Sequence, residues 1–174
     1  MARVGRVRTW YEIEDADGYL AARELLLRRC EAWAVANGLA MSPLLAAALL
    51  DSRHFSSDGR LGYWTPAQVR RALLEWIPEK VAASREDLLE APGSLRTLLR
   101  YLDAHGLRDP RGATAGENES AIDAAEKEFA DALTTWCTIT IDDLGPTGPC
   151  WSRSRRLTTG LRELGHDAYC APPR

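Results

Sequence analysis

The stretch SREDLLEAPGSLRTLLRYLDAHGL, residues 84–107, carries two helical patterns separated by a proline–glycine break. Leu95, Leu98, Leu99 and Leu102 recur at i, i+3, i+4 and i+7, the spacing of one face of an α-helix. Ser84 and Asp87 are spaced like a capping box, and Gly106 followed by Leu107 reads as a left-handed helix stop. The spacing predicts a short helix over 84–90 and a second over 94–105, joined by a three-residue turn. Two packed helices and a DNA-reading helix-turn-helix both fit that outline. In the second case Arg96, Thr97 and Arg100 are the outward residues of a recognition helix, placed to meet guanine or phosphate. Asp103 shares their face, and Glu86, Asp87 and Glu90 lie on the first helix. That mixture of charge favours a plain αα-hairpin.

Working outward, the same signals recur. A helix is predicted over 18–37, with Tyr19, Ala22, Leu26, Cys30 and Trp33 on its apolar side and Gly38 as its stop. Ser42 and Pro43 open a second helix, apolar nearly all round through Leu50, which places it at the core centre. Thr65 and Pro66 open a third, with Val69, Ala72, Leu73 and Trp76 on one stripe and Pro78 ending or kinking it. A last long helix begins near Ser120 and carries Ile122, Ala125, Phe129, Leu133 and Trp136. The run CTITID, 137–142, alternates like a short strand but has no partner strand in the sequence. The sum is an all-α protein of about six helices in one domain. Residues 1–144 form the helical domain, and 145–174 an irregular Arg-, Pro- and Cys-containing tail, partly disordered.

Residues 61–110 add a resemblance. A YWTP lead, an amphipathic helix closing on W-x-P-x-K-V, and then L-x-x-x-P-x-x-L-R-x-x-x-x-Y resemble a helical module of uncharacterised actinobacterial proteins. The resemblance covers about a third of the chain. It implies a helical fold and no particular activity, so it supplies no site residues.

Composition bounds the function. The chain has 174 residues, a net charge of −3 and a pI near 5.7, which argues against strong non-specific binding to nucleic acid. Residues 111–143 hold two basic and eight acidic side chains, whereas 144–174 hold five basic and two acidic, so the acidic helix and the tail are expected to lie together. The basic opening MARVGRVRTW is followed by acidic residues and not by an apolar run, and no apolar stretch reaches membrane length. A cytoplasmic protein is expected.

Candidate chemistry is sparse. Cys137, Cys150, His166 and Cys170 are the one set able to supply a tetrahedral zinc site, but no C-x-x-C knuckle is present, so no cofactor is expected. No G-x-S-x-G, Walker loop, G-x-G-x-x-G or H-E-x-x-H occurs, so the expectation is a non-enzymatic protein. Among six tryptophans, Trp33, Trp76 and Trp136 fall on core stripes. Trp10 with Tyr11, and Tyr63 with Trp64, lie off the helices and are candidate anchors for a partner, because aromatic residues dominate binding hot spots. The leading expectation is an interaction or regulatory protein that binds another protein or itself. The alternative is a sequence-specific DNA-binding regulator using residues 84–107.

Overall fold

A computed structural model describes residues 8–142, with side chains through residue 134. Within that span the protein is all-α, with no β-strand among the described residues. Its elements are α1 (Ala16–Ala36), α2 (Pro43–Phe55), α3 (Pro66–Arg71), a π turn (Ala72–Trp76), α4 (Ile77–Lys80), α5 (Arg85–Leu88), α6 (Ala91–Ala104) and α7 (Ala115–Asp142). Because α3, the π turn and α4 run on without a break, five substantial helices are present, with α5 a single turn between two of them.

Helix starts and stops follow local chemistry. Asp15 caps α1 by accepting from Gly18 N at 3.2 Å. Thr65 and Gln68 form a reciprocal capping box in front of Pro66. Gly38 and Gly106 take φ of 65° and 63°, the left-handed stops that a Cβ would strain. Leu39 N and Leu107 N then return to Ala34 O and Leu102 O at 2.9 and 2.8 Å.

Pro78, expected to end or kink the helix, does not end it. A proline has no N–H to give the carbonyl four residues back, and its ring clashes with it. The chain widens into the π turn just before Pro78, and Ile77 N bonds to Ala72 O, five residues back. The helix therefore passes through the proline to Lys80.

The decisive stretch is built differently from its outline. The APG segment is the first turn of α6, with Pro92 at the helix start, where its missing N–H is harmless. Ser84 caps only one turn, α5, through Asp87 N at 3.1 Å. The three-residue turn of a helix-turn-helix is absent. CTITID is also helical, as the end of α7, and no strand among the described residues could pair with it in an extended form.

The core lies between α2 and α6 at the centre, α1 on one side, and α3, the π turn and α7 on the other. The expected stripes meet there: Tyr19, Leu26 and Cys30 of α1; Leu45, Leu49 and Leu50 of α2; Leu95, Leu98 and Leu102 of α6; Ile122, Ala125, Phe129 and Leu133 of α7. Burial lifts the Cys30 thiol to about 12, as befits a small apolar core residue. No helix among the described residues is long and apolar enough to cross a membrane.

The acidic helix finds basic partners inside the domain. Arg96 of α6 reaches Asp123 and Glu126 at 2.6 Å each and Glu119 at 3.2 Å. Arg100 donates to Glu119, and Arg70 of α3 meets Glu128 through two parallel bonds of 2.8 and 2.6 Å. The expected contact between this helix and the tail, and the tail itself, lie outside the described residues.

Candidate functional site

Three segments outside the helices meet at one end of the bundle. The N-terminal strip at Trp10 and Tyr11 lies along the α2–α3 loop: Leu61 N donates to Thr9 O at 2.8 Å, and Tyr11 N to Gly59 O at 3.1 Å. The α6–α7 loop is sewn to the same loop by Asp109 N to Gly62 O at 3.0 Å and Ala113 N to Trp64 O at 2.8 Å. Gly59 has φ of 69°, and a Cβ there would run into the Tyr11 carbonyl. The loops are thus fixed to one another by main-chain bonds, giving a rigid platform of the kind on which binding residues are usually carried.

Trp10 stands on this platform 43% exposed, its indole pinned by a 3.0 Å bond from Nε1 to Asp58 O. The Arg8 guanidinium lies 5.5 Å from its ring centroid and 4.9 Å from that of Tyr11. Beside Trp10 a cleft of about 270 Å³ is lined by Thr9, Arg60, Gly62, Asp109 and Arg111. Asp109 accepts from Arg111 Nε at 3.0 Å and Nη2 at 2.6 Å, and from Arg111 N at 3.0 Å; Arg60 approaches to 3.8 Å. The side-chain bonds from Arg111 hold the Asp109 carboxyl at about 2, so it stays a carboxylate at any physiological pH. Arg111 remains 62% exposed behind that clamp.

The aromatic anchors divide. Trp10 is presented to solvent and Tyr63 is half-buried, with the Arg53 guanidinium 5.8 Å from its ring. Tyr11 and Trp64, offered as candidate anchors, are core residues instead. Trp64 lies under Arg53 with its Nε1 bonded to Leu61 O at 3.0 Å, and Tyr11 packs edge-on against Tyr19 at 6.2 Å. Pairing of the N-terminal strip with residue 59 turns Tyr11 inward.

The proposed DNA-reading residues are committed elsewhere. Arg96 and Arg100 hold the carboxylates of α7, and Thr97, expected to face outward, is buried and donates to Ala40 O at 2.8 Å. Of the zinc candidates, the Cys137 side chain and Cys150, His166 and Cys170 lie outside the described residues. Among the described residues no group of three metal-ligating side chains comes together.

A second polar cluster, invisible to periodicity, joins α1 to α2. Asp51, 1% exposed, accepts from the Tyr19 hydroxyl and from Arg23 Nη1 at 2.7 and 2.6 Å. His54 stacks on Tyr19 with ring centroids 3.9 Å apart and planes 9° from parallel. Both its ring nitrogens are buried without a hydrogen-bond partner, and burial lowers its pKa, against the pull of Asp51 and Asp15. The signal for this cluster was DSRH, 51–54, continuing an apolar helix: polar residues at core positions demand partners. Comparison with known protein families, curated proteins and solved structures finds no match, so the reading of both clusters rests on their own geometry.

Proposed function

We propose that the chain is a non-enzymatic interaction protein that grips a partner protein through the loop platform around Trp10. The observation that carries this reading is an exposed indole held in one orientation at the rim of a cleft bearing Arg60 and Arg111. Tryptophan and arginine are the side chains that most often anchor protein interfaces. Fixing them beforehand lowers the ordering cost of association. The cleft is poorly suited to acid–base work, because a carboxylate held at about 2 cannot exchange protons near neutrality.

The test uses the full chain, tagged and recovered from its source cells with brief cross-linking. Trp10→Ala and Arg111→Ala each remove one anchor, and Val35→Ala, on the exposed side of α1, serves as the control. A discrete partner, or a second copy, retained by wild type and Val35→Ala but lost from both cleft variants is the expected result. A monomer without a partner, or a partner held equally by all four proteins, overturns the reading.

A further inference from the structure

We propose that a second site, separate from the Trp10 cleft, binds a phosphate-sized oxyanion between the last turn of α2 and the π turn. A cavity of about 70 Å³ opens there, lined among others by Arg53, Ser57, Gln68, Arg71, Ala72 and Trp76. One water needs roughly 10–15 Å³ of such space, so the cavity has room for a group several times that size, such as a tetrahedral oxyanion.

Its chemistry matches that size. Two guanidinium groups line the cavity and no carboxylate does. Arg53 spends Nε on Arg60 O at 3.4 Å and Nη2 on Asp58 at 2.8 Å, and its Nη1 makes no hydrogen bond among the described residues. Arg71 is held only by long contacts, 3.4 Å to Ser56 O and 3.7 Å to Glu75, so its exposed guanidinium can turn inward at little cost. At the adjoining helix end the Ser52 carbonyl already has a donor, Ser56 N at 3.2 Å. The indole N–H of Trp76 is buried with no acceptor, a rare condition that calls for a partner. An oxyanion supplies an acceptor for the Trp76 indole and a further countercharge for two arginines already paired with Asp58 and Glu75.

Ala72 and Trp76, the first and last residues of the π turn, both line the cavity, and a residue as small as alanine leaves room beside the indole. Single π turns in α-helices are frequent at functional sites.

The experiment is a titration of the full-length, nitrogen-15-labelled chain with inorganic phosphate, followed through its six indole N–H resonances. Trp76→Phe assigns one of them. The Trp76 resonance is expected to shift saturably while that of Trp10 stays in place. In Arg71→Ala, whose side chain is exposed and whose remaining spectrum reports an intact fold, affinity is expected to drop at least tenfold. O-phosphoserine separates two sources of the same group: binding of both ligands assigns the site to a phosphoryl terminus, and binding of phosphate alone assigns it to the free ion. No saturable shift at Trp76, undiminished affinity in Arg71→Ala, or an equal response to acetate overturns the proposal.

Discussion

Replacing Asp51 with alanine tests whether α1 is fastened to α2 by charge or only by apolar contact. Asp51 is essentially fully buried and takes three hydrogen bonds, one from Tyr19 and two from Arg23. Removing one member of a buried pair costs about 3–5 kcal/mol, because the other charge is left without compensation. The Arg23 side chain keeps 15% exposure and recovers some hydration, which points to the lower end, about 3 kcal/mol. Against a total of about 5–15 kcal/mol for a domain, that is a large fraction. Urea unfolding followed by circular dichroism should then show the midpoint falling by about 1.5 M for a slope near 2 kcal/mol per M. Tyr19→Phe leaves the Arg23 bonds in place and should cost about 1.5 kcal/mol. In the double variant the two losses should overlap by about 1 kcal/mol, since both substitutions remove the same Tyr19–Asp51 bond. A loss below about 1 kcal/mol for Asp51→Ala, or strict additivity in the double variant, refutes the argument.

Two further expectations concern stability. The His54 pKa is lowered chiefly by burial, against the weaker pull of Asp51 and Asp15. The folded chain therefore takes up this proton less readily than the unfolded chain, whose histidine titrates near 6.5, and stability declines as pH falls below about 6.5. His54→Phe keeps a ring against Tyr19 and removes two unpartnered nitrogens, so it should stabilise by about 1 kcal/mol or more and flatten that decline, read from melting temperatures at about pH 7.5 and about pH 5. Arg96→Ala should cost about 1–2 kcal/mol at low salt, and the part lost to Glu119, Asp123 and Glu126 should shrink in about 1 M NaCl. An unchanged cost at both salt levels would assign the effect to the packing of the arginine stem instead.

Much of the fold was legible in the sequence because it is written locally. The leucines of α6, the caps at Thr65 and the stops at Gly38 and Gly106 each act over a single turn, and all are found where the pattern puts them. Pro92 is the instructive miss. At Pro43 and Pro66 a proline signals a helix opening, whereas at Pro92 the neighbouring Gly93 gives the same signal the form of a turn. Gly93 stands within α6 without positive φ. The platform was less legible because its bonds join residues far apart in the chain. Nothing in the run TWY, 9–11, tells which ring turns inward until the strip pairs with the loop after α2. RDPRG, 108–112, reads as linker, yet it supplies Asp109 and Arg111 to the cleft. Asp51 and His54 were hidden for another reason: hydrophobic periodicity assigns polar residues to the surface, and only a partner on a different helix brings them inside.

The π turn also resets the helix's angular phase. In a regular α-helix of 3.6 residues per turn, positions eight apart, such as Val69 and Ile77, point about 80° away from each other. One supernumerary residue in the turn makes the eight behave as seven, and the misalignment falls to about 20°. Val69, Leu73 and Ile77 all lie in the core, and the turn brings the two ends of this i, i+4, i+8 stripe closer to one line than a regular helix does. A related chain with an ordinary α-turn in this place would lack one residue between positions 72 and 76. A gap there would mark the loss of the widened wall without disturbing the core contacts on either side of it.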